Sequence, residues 1–208
     1  MKRLTVGADP FPPYQYYDQV GNIQGLDYQL VKKIFKSAGY KIKVILAEWN
    51  KIEDALIDKK IDAAFQVQHT SEREKKYFFS KLFRYATTEV VTGSKRLRIN
   101  SYAEIEDKQL SIGVIKNYTY GDAIDQLDSS LKVRFSDQSE LLKAINDQVV
   151  ELGIFDQGVK EYLLKQKSYP NIYSIKNLQF IRPLYVVFSN KEIRNKFNQK
   201  METDKLIT

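Results

Sequence analysis

The chain has 208 residues, 43% of them apolar and 28% charged, which suits one large packed domain or two lobes of about 100 residues and argues against disorder. It has no cysteine, so disulfides and thiolate metal sites are excluded, and no apolar run approaches the ~18 residues of a membrane-spanning helix. The net charge of +7 raises a nucleic-acid partner, but Lys and Arg are dispersed, and the densest group, Lys95-Arg96-Leu97-Arg98, has no interleaved aromatics; no nucleic acid is expected.

In chain order, Met1-Lys2-Arg3 resembles the charged start of an export signal, but Leu4 to Asp9 is no apolar core of one, so either the protein is cytoplasmic or its signal lies outside this sequence, and the resemblance given below favours the second. Residues 3–7 read instead as a first strand. Leu26, Leu30, Val31, Ile34 and Phe35 then form a helical stripe, with Gly39 suited to the stop just past it. A strand over 41–47, a helix over 52–57 and a strand over 63–66 follow, and the next strand is expected at 88–92. Further strands are expected at 110–115 and 132–135, then a helix over 139–145 capped by Ser136 or Asp137. The pattern ends with a strand at 152–155, a helix over 159–164 and strands at 172–175 and 185–188. Such alternation predicts an α/β fold with mostly parallel strands.

One stretch echoes another. Ala55 to Asp62 and Ala144 to Glu151 match at an offset of 89, with Asp58/Asp147, Ile61/Val150 and Asp62/Glu151 in register. Each reads as a helix end, a tight polar turn and a strand start, which predicts two lobes of like architecture. No Pro/Gly/Ser-rich tether separates them, so the chain is expected to cross twice on strands, near 88–92 and 184–188. The expected lobes are 1–91 with 183–208, and an inserted 92–182, with a cleft between them.

Catalytic constellations are scarce. His69 is the sole histidine and reads more simply as a solvated or capping residue than as a base; no second imidazole exists to build a metal cluster. No G-x-S-x-G, G-x-G-x-x-G or P-loop pattern occurs, and no carboxylate spacing singles out an acid/base pair. Neither an enzyme nor a cofactor is expected. What remains suits a zwitterion. Asp9-Pro10-Phe11-Pro12-Pro13-Tyr14 stiffens an aromatic beside a carboxylate, Glu48-Trp49-Asn50 holds the only tryptophan, and the stretch from Gln66 through Gln68 to Arg73 leads into a helix start. Taken singly, Trp49 is equally a core residue, Arg73 a surface ion-pair partner and Asp9 a turn residue.

Taken in order, these segments carry a resemblance. Asp9 to Tyr14, then Gly25-Leu26-Asp27-Tyr28-Gln29-Leu30, Trp49, Lys60-Ile61-Asp62-Ala63, Thr70-Ser71-Glu72-Arg73, Phe79-Ser80, Ile112-Gly113-Val114 and the strand end at Asp156 resemble the bacterial extracellular solute-binding proteins of family 3, the polar amino-acid receptors of ABC importers. The resemblance implies a two-lobed periplasmic binding protein-like (type II) α/β fold with two crossover strands. It implies that Arg73 grips the ligand α-carboxylate, which a planar guanidinium can do with two parallel bonds. Asp156 would hold the ammonium, the loop of Lys116 and Thr119 would support the carboxylate, and Phe11, Trp49, Asp9 and Gln68 would select the side chain. Arg, Lys, His or Gln are the expected ligands, the aromatic pair adding cation–π attraction to a cationic tip. Binding and hinge closure would be one event.

Departures from the family pattern are specific. Gln66 and Gln68 stand where small residues or glycine are usual, and would narrow the pocket or replace a hydroxyl bond with an amide one. Asn117 replaces a glycine but tolerates positive φ. Tyr118 and Tyr120 replace smaller residues, and the tail looks short by about one helical turn. The resemblance further implies a monomer, periplasmic or extracellular and membrane-associated, that delivers its ligand to ABC-transporter membrane subunits. A sensor domain fused to a membrane signalling module, and a small-carboxylate dehydratase, are the alternatives.

Overall fold

The computed structural model describes residues 1–205. In chain order the elements are β1 (Lys2–Ala8), β2 (Tyr16–Tyr17), β3 (Ile23–Gln24), α1 (Leu26–Ser37), β4 (Tyr40–Leu46), α2 (Trp49–Ile57), β5 (Ala63–Gln68), α3 (Ser71–Glu74) and β6 (Phe78–Phe79). Then come β7 (Arg84–Thr92), α4 (Ala103–Asp107), β8 (Ile112–Ile115), α5 (Asp122–Asp125), β9 (Lys132–Phe135), α6 (Gln138–Asn146) and β10 (Leu152–Asp156). The chain closes with α7 (Gln157–Gln166), β11 (Tyr173–Ser174), β12 (Phe180–Phe188) and α8 (Lys191–Lys205). Two units result: Met1–Tyr85 with the segment from Arg182 onward, and Ala86–Ile181.

In unit 1 the strand order is β4-β1-β5-β12, with β4, β1 and β5 parallel and β12 antiparallel to β5. Leu4, Val6, Phe65 and Phe188 bury one sheet face against Val31, Ile34 and Phe35 of α1 and Ile193 and Phe197 of α8. Ala64, Val67 and Val187 bury the other against Ile52 and Leu56 of α2. Both faces are covered, which is why residues 63–65 of β5 and 186–188 of β12 are apolar and buried without interruption.

In unit 2 the order is β7-β10-β8-β9; β10, β8 and β9 are parallel, and β7 runs antiparallel to β10. Ile112, Val114, Leu152 and Ile154 pack on Ile99, Ile105 and Ile124. Val91, Ile115 and Phe155 pack on Leu141, Leu142 and Ile145 of α6.

The α/β class and the two crossing strands of the sequence reading stand. β7 and β12 begin four to five residues earlier than expected and carry the chain from one unit to the other. The units change at 85/86 and 181/182, whereas 91/92 and 182/183 were expected, because Thr88–Thr92 already pairs with β10. The echo extends to the backbone. Lys59 (φ 56°) and Gln148 (φ 57°), 89 residues apart, both take the left-handed conformation that ends a helix. Their neighbours donate matching hydrogen bonds, Lys60 N to Ala55 O and Val149 N to Ala144 O, both 2.8 Å.

Candidate functional site

Five of the nine expected binding residues lie near or just past the C-terminal ends of three adjacent parallel strands in unit 1. β1 delivers Asp9 and Phe11, β4 delivers Trp49, and β5 carries Gln66 and ends at Gln68. Strand C-termini are where open parallel sheets present ligand groups, because the following helices begin there with free N–H groups.

Arg73 sits in α3, whose N-cap Thr70 accepts from the Arg73 amide at 3.2 Å. Its guanidinium is oriented on three sides. Nη1 donates to the Gln68 carbonyl at 3.2 Å, Nε lies 3.5 Å from Glu53 Oε1, and the Trp49 ring lies 4.9 Å away. Glu53 in turn accepts from the Tyr77 hydroxyl at 2.9 Å. Burial, reinforced by that bond, pushes the Tyr77 phenol far above its ordinary range. The arginine is thus held by a carboxylate that is itself held, while Nη2 has no partner among the described residues. Beside it, Trp49 Nε1 and Gln68 Oε1 are buried without a hydrogen-bond partner. Unused polar capacity beside a fixed guanidinium suits a small polar ligand.

Asp9, Gln66 and the 10–15 loop form a second cluster. Gln15, fully buried, donates through Nε2 to the Asp9 carbonyl and to Gln66 Oε1, each at 2.8 Å. Gln66 Nε2 donates to Asp27 Oδ2 at 3.2 Å, and Arg84 Nε donates to the same oxygen at 2.8 Å. Arg84 caps the ladder by lying 3.9 Å over the Tyr14 ring. Phe11 stacks on Tyr14 at 6.0 Å. The Gln66 amide, expected to face a ligand, is therefore engaged on both ends by unit 1 itself.

Gln66 also has φ 66°. Across β12 the register slips between Tyr185 and Val187, so Phe65 and Gln66 together oppose one residue. That bulge returns Val67 to the face of Ala64 and α2. Left-handed backbone is why a glycine would suit this position, and the amide ladder is what glutamine adds.

In unit 2, Lys116 and Thr119 are exposed in the turn after β8, where Asn117 takes φ 64°. Asp156 ends β10, which lies parallel to β8 with Leu152 opposite Ile112, so Asp156 and Lys116 share one end of the sheet. Asp156 is buried, and its Oδ1 caps α7 by accepting from Gly158 N at 3.0 Å and Val159 N at 3.3 Å. His69 is exposed, with its ring 4.7 Å from Phe79, and Thr70 rather than His69 caps α3.

Sequence reasoning missed Gln15, Asp27, Glu53, Tyr77 and Arg84. Glu53 was within reach, since it follows Trp49 by four residues and so shares its helix face. Arg84 carries no local signal; its role depends on a partner 57 residues away.

The model of the bacterial extracellular solute-binding proteins, family 3, matches residues 4–203. A probable amino-acid ABC transporter-binding protein of Haemophilus influenzae is 26% identical over 167 residues, 75% of this chain and 64% of that protein. The arginine-binding extracellular protein ArtP of Bacillus subtilis is 26% identical over 169 residues, 79% of this chain and 63% of that one. The chain thus spans somewhat under two thirds of these relatives. An ancestral arginine-binding protein bound to arginine superposes with a TM-score of 0.85 over 99% of this chain and 93% of its own, at 24% identity, a likeness of fold.

Proposed function

The chain belongs to the bacterial extracellular solute-binding proteins, family 3, and from that membership we propose that it captures a free amino acid without making or breaking a bond. Arg73 anchors the α-carboxylate, with Trp49 and Gln68 beside it. The observation that carries this reading is the setting of Arg73: a guanidinium fixed by Glu53, Trp49 and a carbonyl, with an arm left over, next to two buried unpartnered polar atoms. A preoriented fork loses little side-chain freedom when it takes up a carboxylate. Asp156 and the Lys116–Thr119 turn serve the ammonium and carboxylate from unit 2.

Phe11, Trp49 and Asp9 supply an aromatic and acidic surface suited to a cationic or amide tip, and the relative named for arginine points the same way. The ligand is therefore a basic amino acid or glutamine. The protein works outside the cytoplasm as a monomer and passes its ligand to the membrane subunits of an ABC importer.

Thermal denaturation in the presence of each of the twenty amino acids tests the reading. L-arginine, L-lysine, L-histidine or L-glutamine at 100-fold excess over Kd should add about 2.7 kcal/mol of stability. Arg73→Ala should abolish that gain. No stabilisation by any amino acid would overturn the proposal, and a full gain in Arg73→Ala would remove the anchor role.

A further inference from the structure

The net positive charge of this protein belongs to one unit. Unit 1 contains 21 Lys and Arg against 13 Asp and Glu, and unit 2 contains 12 against 13, so the whole excess of +7 belongs to unit 1. Its most one-sided element is α1. Val31, Ile34 and Phe35 face the core, and the outward stripe is Gln29, Lys32, Lys33 and Lys36. The helix's one acid, Asp27, is buried and paired with Arg84. On the helices of unit 2, lysines meet acids one turn away, as in Lys108–Glu104 and Lys143–Asp147. Among the described residues no ion pair engages Lys32, Lys33 or Lys36. Lys32 leans instead on the Tyr28 ring at 5.5 Å, and Lys196 of α8 adds a further cation over Tyr40 just past the end of α1.

Apolar groups protrude beside this stripe. The β2–β3 hairpin presents Tyr17 and Val20, 50% and 80% exposed, and Leu26 at the start of α1 is 64% exposed. The hairpin's acid, Asp18, accepts from the amides of Val20 and Asn22 and so shapes the tip. Between hairpin and helix runs an open groove of about 570 Å³ floored by Ile23 and Tyr28 and walled by the three lysines.

The geometry points to a docking surface for an anionic phospholipid bilayer, with the α1 lysines on the headgroups and the hairpin tip in the headgroup–acyl boundary. Lysines without a fork give diffuse attraction rather than bidentate recognition. Protruding aliphatic and tyrosine side chains next to them suit a lipid surface, where an acidic protein would meet only the charges. This surface is separate from the amino-acid site.

Sedimentation with phosphatidylcholine vesicles, with and without phosphatidylglycerol, tests it. Binding should require phosphatidylglycerol and weaken with salt. At about fivefold per lysine, K32Q/K33Q/K36Q should bind roughly 100-fold more weakly, and Val20→Asp should also weaken it. K95Q/K165Q/K176Q, which removes the same charge from unit 2, should bind as the parent does, with melting curves confirming that each variant folds. Absence of binding to anionic vesicles, equal loss in the two triple variants, or equal retention on polyglutamate would each overturn the proposal.

Discussion

The Oδ1 oxygen of Asp156 accepts from the amides of Gly158 and Val159, so Asp156→Ala removes a helix cap and a buried charge together. Asn caps about as well as Asp, whereas Ala loses about 1 kcal/mol at such a position. Asp156→Asn should therefore keep its urea midpoint while weakening amino-acid binding at least about 30-fold, as expected when a buried ionic contact loses one charge. Asp156→Ala should lose both. Unchanged affinity in Asp156→Asn, measured by calorimetry, would leave the residue as a cap only. Gln66 teaches the same lesson from the other side. Its side-chain type and place were legible, but its amide faces Gln15 and Asp27, which lie 51 and 39 residues away. No local pattern encodes such a pairing.

Helix-to-strand turns recur as one design. Lys59 and Gln148, in the two halves of the repeat, hold left-handed backbone that a side chain disfavours. Lys59→Gly and Gln148→Gly should each raise stability by about 0.5–1 kcal/mol, the strain relief exceeding the added freedom of the unfolded chain. Because the two turns lie in different units and share no partner, the double variant should show the sum. Loss of stability in either, by urea unfolding, would mean that the side chain holds its turn. The repeat was readable because helix, turn and strand are contiguous in sequence. The β2–β3 hairpin, α4 and α5 were not, since elements of two to five residues carry too few positions to show a period. In α8 the apolar positions Ile193, Phe197 and Met201 sit four apart in an otherwise polar helix, a stripe one residue wide.

Each unit buries a tyrosine hydroxyl on an internal acceptor: Tyr77 on Glu53 in unit 1 and Tyr102 on the Leu178 carbonyl in unit 2, both at 2.9 Å. Burial lifts the Tyr102 phenol from its ordinary 10 to about 12, and Tyr77 is raised further by burial and its carboxylate partner. A group whose pKa is raised on folding holds its proton more tightly in the native state, so its contribution is complete below the unfolded value and declines as pH rises through the folded one. Stability should therefore fall from pH 10 to about 12 as the unfolded chain ionises first at Tyr102. Tyr102→Phe should flatten the decline over that interval in urea midpoints measured against pH, and an unchanged slope would show that Tyr102 is not the group responsible.

Length, periodicity and motif order alone determined the α/β class, the doubled architecture, the crossing strands and the family, because each rests on neighbours in sequence or on the joint order of short segments. Arg73 and Trp49 were nameable for the same reason. Tertiary structure decided what those residues touch. Glu53 and Tyr77 orient Arg73, Gln15 and Asp27 engage Gln66, and Asp156 caps α7. Hydrogen bonds and ion pairs between side chains form only where the folded backbone brings distant atoms within about 3 Å, and most of these partners are separated by 20 to 60 residues of chain.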